Sequence, residues 1–434
     1  MIFLLHRWDP GIGIGHLARV YWPLLIVLWG IAKLVDHFVA QSTGQVRAPL
    51  LSAGEAVLLV LLAVILFVFG LGDWAHQKAP WLRIDIPAFH DSYSQHASIA
   101  PQTIPAGAHV SIETENGSLT IHGSGGSQLL ASASESARAE NEWEADQRMK
   151  SVEVVLEKTA NGYAIHPVHQ SDFRGTLEVD LDVQLPEAAS VTVSTRRGDI
   201  NVSGIGGAVD ARTESGDLEI HNVGADVAAQ TGKGDVRIDQ VGGSVTLKGR
   251  GGEVEIGEVR GNVALDGAFV GDTVMRKVGG TAQLASPWAD LSVAQLTGRL
   301  EMDAGDLSVS DAGGAARLQT HDKDIEAENI GGPLDISDSH GDVKVLCSTQ
   351  PREALNVSNQ SGDVELSLPA RSSFQITAYS RSGEASSEFE SPSLRITGEE
   401  SSGRLEGQFA GNSATTGPKI TVNTSYGTIS LRKS

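Results

Sequence analysis

The sequence predicts an all-β protein: a parallel β-helix-like β-solenoid of about 18-residue coils, preceded by an N-terminal α-helical transmembrane anchor. Three observations predict it: a tandem repeat from Gly198 onward, a period-two apolar pattern inside each repeat, and apolar segments confined to the first 85 residues. The expected domains are an anchor at 1–85, a linker at 86–99, a β module with one short helix at 100–190, and the solenoid at 191–434.

The anchor is predicted to contain two helices, near residues 17–38 and 54–73. Residues 56–72 are uncharged and, with their flanks, long enough to cross a bilayer. The first segment is apolar only over 20–32, so it spans the bilayer only if its flanking basic side chains snorkel. One span with an interfacial helix is the alternative.

These helices predict an integral protein of the bacterial inner membrane, with membrane lipid as the partner of the N-terminal segment. If there are two spans, both chain termini lie on the same side. The basic residues near the spans then favour a cytoplasmic solenoid by a small margin. The side of the membrane that carries the solenoid therefore stays open.

The module that follows combines strands with one helix. Residues 110–114 and 118–122 alternate around Asn116-Gly117, which is a strong turn signal. Residues 137–150 are rich in Ala, Glu and Arg and predict one short helix. Further strands are expected at 152–158, 163–168 and 177–185.

The solenoid repeat is marked by a Gly-acid-apolar triplet about every 18 residues. A tandem array of one short unit buries the apolar side of each copy against its neighbours, which is how solenoids are built. The marker position recurs in 13 copies, at Gly198, Gly216, Gly234, Gly252, Gly271, Ala289, Gly305, Lys323, Gly341, Gly362, Gly383, Gly403 and Gly427.

Inside each copy, apolar side chains recur at offsets of 2, 4, 7, 11 and 13 residues from the marker. In the Gly234 copy these positions are Val236, Ile238, Val241, Val245 and Leu247. The alternation is that of strands, and no helical period appears. Each unit is expected to read strand, Gly turn, strand, turn. A sandwich of stacked antiparallel hairpins allows the same alternation and is the alternative.

The residue after the marker is acidic in 11 of the 13 copies. Stacked coils would place these carboxylates about 4.8 Å apart, where like charges repel by about 0.9 kcal/mol per pair even in water. In one interpretation each carboxylate caps a turn N–H. In the other, a ladder of carboxylates binds Ca²⁺ weakly. The candidate ligands of this ladder are Asp199, Asp217, Asp235, Glu253 and Asp272.

Charge and cysteine content narrow the classes of partner. The formal net charge of −21 repels nucleic acid and anionic lipid headgroups, so no nucleic-acid partner is predicted. Cys347 is the single cysteine of the chain, so no intrachain disulfide forms.

A family resemblance covers residues 100–434. The order of strand, helix, strand, Leu185-Pro186 and iterated Gly-Asp-Ile/Val coils, closing with Thr424-Ser-Tyr-Gly-Thr-Ile-Ser-Leu431, resembles the bacterial putative-adhesin family of β-strand-repeat domains of unknown function. The anchor segment Tyr21-Trp-Pro-Leu-Leu-Ile-Val-Leu-Trp-Gly30 is similar to the transmembrane modules of LiaF-like envelope-stress proteins. The resemblance implies a bacterial, membrane-anchored, non-enzymatic surface or sensing protein, and it supplies no catalytic residue.

The predicted function is a non-enzymatic, adhesin-like surface for binding or scaffolding in the cell envelope, with an unidentified protein or glycan as partner. The alternatives are an envelope-stress sensing or assembly scaffold and a carbohydrate-active β-helix enzyme. Charged groups at 321–324 and at Arg196, Arg197 and Asp199 are the enzyme candidates, but they read as exposed coil corners. The sequence has no zinc-type histidine spacing, nucleophile elbow or phosphate loop, so no catalytic, metal or cofactor site beyond the acidic ladder is predicted.

Overall fold

The computed structural model describes residues 91–139, 141–169, 177–399, 401–411 and 417–434. The described residues fall into two compact units: 91–93 and 138–146 belong to the first, and 94–137 and 147–434 belong to the second. The anchor predicted at 1–85, with its helices near 17–38 and 54–73, lies outside the described residues. Within the described ranges, no helix combines the length and apolar character that a membrane span requires.

One helix, α1 (Glu142–Met149), forms where the composition of residues 137–150 predicts one. Asn141 caps its start, because Asn141 Oδ1 accepts the amide of Glu144 at 2.9 Å. Its end is closed by Ser151, whose Oγ donates to the carbonyl of Arg148 at 2.6 Å. These two contacts satisfy backbone groups that a helix leaves free at its ends.

Most strands of the second unit form two rows, each joined by strand pairing, and one coil contributes one strand to each row. Row A contains β3 (Leu119–Ser124), β9 (Ile200–Ile205), β11 (Leu218–Val223), β13 (Val236–Val241), β15 (Val254–Val259), β19 (Asp306–Ala312), β21 (Asp324–Ile330), β23 (Val343–Leu346), β25 (Val364–Leu368), β27 (Ala385–Ser387) and β31 (Ile429–Lys433). Row B contains β2 (His109–Asn116), β8 (Ser190–Arg197), β10 (Val209–Ser215), β12 (Val227–Thr231), β14 (Val245–Gly251), β16 (Val263–Phe269), β20 (Ala316–Thr320), β22 (Leu334–His340), β24 (Leu355–Ser361), β26 (Phe374–Ser382) and β30 (Lys419–Tyr426).

The remaining strands are longer or lie near the chain ends. Two long strands contribute to both rows, β17 (Thr273–Ala285) and β18 (Ala289–Met302). The others are β1 (Asp91–Thr103), β4 (Gln128–Ala139), β5 (Val152–Thr159), β6 (Gly162–His169), β7 (Leu177–Pro186), β28 (Leu394–Glu399) and β29 (Ser402–Phe409).

Neighbouring coils of the regular run pair in parallel and in register. Strand β10 pairs with β12 so that Thr213 lies opposite Thr231, and β11 pairs with β13 so that Leu218 lies opposite Val236. The two residues of each pair are 18 residues apart in the chain, which is one repeat. This register confirms the solenoid, rather than the antiparallel sandwich, for these coils.

The predicted inward positions form the core. In the Gly234 copy all five apolar positions, at offsets 2, 4, 7, 11 and 13, are at most 2% exposed. Each fully buried Val, Leu or Ile side chain contributes about 1.5–3 kcal/mol relative to an exposed one. The burial pattern weakens from the Lys323 copy onward, since Ile330 at offset 7 of that copy is only half-buried.

The Ala289 copy runs in the opposite direction, which corrects the expectation of uniformly parallel coils. Strand β18 pairs antiparallel with β17 on one side and with β19 and β20 on the other. The turn before β18 is tight, because Ser286 Oγ accepts the amide of Ala289 at 3.0 Å. Since the chain reverses once before β18 and once after it, β19 and the coils that follow pair in parallel with one another.

The order of coils in space differs from their order in the chain at both ends. Strands β30 and β31 insert between the coil of β24 and β25 and the coil of β26 and β27. Near the start, β2 and β3 lie between β6 or β7 and the coil of β8 and β9. Parallel coil pairing therefore begins at His109, and the boundary predicted at residue 191 is not a structural break.

Strand β1 changes the predicted linker, and an aromatic cluster lies at the far end of the two rows. Residues 91–99, expected in the linker 86–99, belong to strand β1. At the other end of the rows, Phe374, Phe389 and Phe409 form an aromatic cluster with ring centroids 4.9–5.6 Å apart. Solenoids require such end caps because a terminal coil lacks one neighbour.

Candidate functional site

The acidic residues after the marker glycines form a hydrogen-bonded ladder, which we call the marker corner. Asp199 Oδ1 accepts the amide of Asp217 at 2.8 Å, and Asp217 Oδ1 accepts the amide of Asp235 at 2.9 Å. Asp235 Oδ1 accepts the amide of Glu253 at 2.8 Å. One carboxylate oxygen in each of these coils therefore has a backbone partner in the next coil.

Glycine at the marker permits this close stacking. Gly216 has a φ of 145°, and a Cβ placed on it would lie 2.1 Å from the carbonyl oxygen of Gly198. No L side chain fits such a contact. The marker glycine therefore takes the unusual backbone conformation, and the acid that follows it supplies the acceptor.

The ladder is interrupted in the middle of the chain. The next copy is one residue longer, and among the described residues no hydrogen bond links the Glu253 carboxylate to the Asp272 amide. Asp290, expected to continue the acidic row, lies opposite Ala285 and Gln319 because β18 runs backwards. The ladder resumes as Asp324, Asp342 and Asp363, whose Oδ1 atoms accept the amides of Asp342, Asp363 and Thr428 at 2.7–2.8 Å.

The return turn after β18, at residues 303–305, is contacted by a buried lysine from a later coil. Lys323 Nζ donates to the carbonyl of Asp303, and Lys323 is only 6% exposed. Amides of Asp306 and Gly305 donate to the Asp303 carboxylate, and they lower the pKa of that group, with a smaller contribution from Lys323. Of the enzyme candidates at 321–324, Lys323 is thus a structural contact of this turn.

The other candidate charges lie in separate surface pairs. Asp322 is exposed beside His340, with 3.1 Å between His340 Nδ1 and Asp322 Oδ1. Arg196 lies 3.9 Å from Glu214. Across the described residues there is no group of three or more His, Cys, Asp or Glu side chains placed to hold a metal ion. The Ca²⁺ ladder therefore stays a prediction, and the free oxygens of the marker corner are its candidate ligands.

A second row of polar residues lines an open groove of about 710 Å³. The groove crosses β11, β13, β15, β17 and β18, which at about 4.8 Å per strand is about 19 Å long. Its floor is formed by the valines at offset 7. The residues just before them, at offset 6, are Asn222, Gln240, Glu258 and Lys277, and we call these four the groove row.

Every residue of the groove row has a left-handed backbone conformation. Their φ values are 55°, 58°, 53° and 51° in chain order. Such values are costly for side chains other than Gly, Asn or Asp. In the first regular coil the same position is Gly204, with a φ of 71°. The same conformation recurs at offset 6 outside the row, at Gln295, Asp311 and Asn329, so seven consecutive copies of the repeat keep a polar side chain where glycine is sterically favoured.

The charges of the groove are few and mostly paired. Lys277 Nζ lies 2.7 Å from Glu258 Oε1, and this hydrogen bond and charge lower the pKa of Glu258, with smaller effects from Arg276 and His221. Arg260 holds the place at offset 8 that Gly224, Gly242 and Gly279 hold in neighbouring coils. Arg260 has no ion pair among the described residues.

Sequence reasoning missed the groove row, although a signal existed. A polar-Val-Gly triplet recurs at offsets 6 to 8, as Asn222-Val-Gly224 and Gln240-Val-Gly242. A buried polar position three residues before the marker was missed too. There Thr195 Oγ1 donates to the carbonyl of Gly117, Thr213 Oγ1 to Gly198 and Asn359 Nδ2 to Gly341. These contacts satisfy turn carbonyls inside the core.

Cys347 offers no reactive group. It is buried, and desolvation raises the pKa of its thiol to about 11. The nucleophilic thiolate is therefore scarce at neutral pH.

One family model and several solved structures match most of the chain. The model of the family described as Toastrack DUF4097 matches residues 107–432. Among solved structures, the chain is similar to a putative cell adhesion protein from Clostridium sporogenes ATCC 15579, with 9% identity over 79% of this chain and 100% of that one and a TM-score of 0.19. A putative adhesin from Parabacteroides distasonis ATCC 8503 shows 9% identity over 79% and 97%, with a TM-score of 0.21. A putative lipid binding protein from the same organism shows 11% identity over 78% and 97%, with a TM-score of 0.18. No curated protein matches the chain.

Proposed function

Since the chain belongs to the Toastrack DUF4097 family, we propose that it is a non-enzymatic, adhesin-like β-solenoid that is anchored in the bacterial inner membrane. In this proposal the groove is the binding site, and its ligand is an extended polymer that lies along the stacked coils. Residues 1–85 act as the anchor, through helices near 17–38 and 54–73. An assembly or envelope-stress scaffold is the alternative function.

The groove row is the observation that carries the proposal. Strained backbone conformations at non-glycine residues are retained in proteins mainly where the side chain has a task. The side chains of Asn222 and Gln240 have no hydrogen-bond partner among the described residues. Each amide offers two donors and one acceptor to a ligand. The row thus presents two side chains without a protein partner, Asn222 and Gln240, in neighbouring coils along a shallow apolar floor.

The chemistry of the groove favours binding over catalysis. Glu258 is the single carboxylate among its lining residues, and Lys277 holds the pKa of Glu258 below its ordinary value. A general acid at neutral pH needs a raised pKa, and a glycosidase needs a second carboxyl group opposite the first. Glu258 meets neither requirement, which supports a non-enzymatic site.

Binding by the full chain in detergent micelles tests the proposal. The probes are immobilised polygalacturonate, dextran and gelatin, and the groove variant is Asn222→Ala with Gln240→Ala. We expect at least one probe to bind, and the double variant to lose about thirtyfold in affinity, because two hydrogen-bonding side chains at about 1 kcal/mol each are removed.

The matched control replaces the same residue types outside the groove, as Asn356→Ala with Gln230→Ala. Both residues are exposed on row B strands. The control is expected to bind like the unchanged chain. Equal binding by the two double variants, or no binding of any probe by the unchanged chain, would refute the groove as the binding site and leave the assembly function.

A further inference from the structure

We infer that the groove takes an anionic polysaccharide, with an acidic group of the polymer held by Arg260. This inference rests on the proposed function and names the ligand class of the same site. It follows from the charges of the groove, the place of Arg260 in the repeat, and the hydrogen bonds that the groove backbone already makes.

The groove is electrically unlike the rest of the chain. The chain as a whole has a formal charge of −21. Among the groove-lining residues the charged side chains are Glu258, Lys277 and Arg260, and the first two are paired with each other. Because the charges of Glu258 and Lys277 cancel, the net charge of the groove is the positive charge of Arg260. The groove is therefore a weakly positive patch on an acidic chain. An anionic ligand that reaches this surface is therefore favoured at the groove and repelled elsewhere.

Arg260 is free to hold such a group. The nearby arginines of the same face are already engaged, since Arg237 and Arg276 both pair with Glu255, at 2.8 Å and 2.5 Å. Arg260 is exposed and has no ion pair among the described residues. Its planar guanidinium binds a carboxylate or sulfate through two parallel hydrogen bonds.

The backbone of the groove argues against a peptide that adds a strand. Such a peptide needs free backbone N–H and C=O groups at a sheet edge. The amides of Gly224, Gly242 and Arg260 instead donate to the carbonyls of Ile205, Val223 and Val241 in the preceding coils, at 2.8–3.0 Å. Recognition must therefore come from side chains.

Hydroxyl groups suit the side chains that remain. The amides of Asn222 and Gln240 each donate and accept, as a sugar hydroxyl does. Both side chains follow the stacking direction at about one coil spacing of 4.8 Å, so they meet successive units of an extended chain rather than one compact ligand. Together with Arg260 they describe a site for a hydroxylated, acidic polymer.

A charge-matched pair of probes tests the inference on the full chain in detergent micelles. Polygalacturonate carries one carboxylate per sugar, and its fully methyl-esterified form has the same backbone without the charge. We expect the unchanged chain to bind polygalacturonate about tenfold more tightly than the ester. Arg260→Gln should remove this preference, and added NaCl should weaken it.

Arg317→Gln is the control, because Arg317 is also exposed and has no ion pair among the described residues but lies outside the groove. It should keep the preference. Equal affinity for both probes, or a preference that survives Arg260→Gln, would overturn the inference. If the unchanged chain binds dextran or gelatin and the Asn222→Ala, Gln240→Ala chain does not, the groove remains the binding site and only the anionic ligand class is wrong.

Discussion

The marker corner and the groove row are built by the same repeat, yet they use their polar side chains in opposite ways. Each places one polar residue per coil on the surface, at offset 1 and offset 6 from the marker. At the marker corner the glycine takes the unusual φ, and the following carboxylate accepts an amide of the next coil. In the groove row the polar residue itself takes the unusual φ, and the side chains of Asn222 and Gln240 have no hydrogen-bond partner among the described residues.

The difference separates residues that hold the solenoid from residues that are free to bind. A side chain whose oxygen is already occupied by the next coil contributes to stacking and is a weak candidate for ligand contact. A side chain that is kept at an energetic cost, without an internal partner, is a strong one. Repetition alone therefore does not identify function, because both rows repeat equally well.

The largest expected effect comes from removing one acceptor of the marker corner. Asp217→Ala leaves the amide of Asp235 without its partner and should lower the stability of the full chain by about 1 kcal/mol. Asp217→Asn keeps an oxygen acceptor and should be nearly neutral. The midpoint of urea unfolding, followed by circular dichroism, measures both. Equal losses in the two variants would show that charge, and not the acceptor, matters at this corner.

A smaller effect is expected from calcium. If the corner carboxylates act only as acceptors, millimolar CaCl₂ should raise the melting temperature no more than NaCl of equal ionic strength, because both salts screen the repulsion between neighbouring coils. The predicted Ca²⁺ ladder of Asp199, Asp217, Asp235, Glu253 and Asp272 requires an additional rise that a chelator reverses. Such a rise, absent in Asp217→Asn, would make the marker corner a binding site as well and weaken the comparison.

The repeat and its core could be predicted from the sequence because they depend on local pattern. The 18-residue spacing corresponds to the register between neighbouring coils. The five apolar offsets correspond to buried positions in the regular coils, as for Val236 and Ile238. Burial of an alternating face is the same wherever the coil sits, so the pattern determines which side of a strand is inside.

Strand direction and coil order could not be predicted in this way. Strand β18 keeps the apolar alternation while it runs backwards, because antiparallel and parallel neighbours bury the same face. The local sequence feature that accompanies this reversal is the turn at Ser286, Pro287 and Trp288, directly before β18. The Gly427 copy likewise carries the ordinary marker, although its strands insert between two earlier coils. Both features depend on long-range pairing that the repeat does not encode.

The groove row could not be predicted from residue type. Gln, Glu and Lys have no preference for a left-handed backbone, so their identity gives no hint of the φ values at Gln240, Glu258 and Lys277. The acidic row was easier to see and attracted the metal prediction. Its hydrogen bonds appear only when the coils are stacked in register, as Asp199 and Asp217 show.

The central claim, that the groove row is kept for binding at a cost in stability, is tested most directly by Gln240→Gly in the full chain. Glycine relieves the left-handed strain, so the unfolding midpoint should rise, by about 0.5–1 kcal/mol in stability, while polygalacturonate affinity falls severalfold. Gln230→Gly, at an exposed position of strand β12, should lower stability and leave binding unchanged. A Gln240→Gly chain that is less stable, or that binds polygalacturonate as tightly as the unchanged chain, would contradict the account.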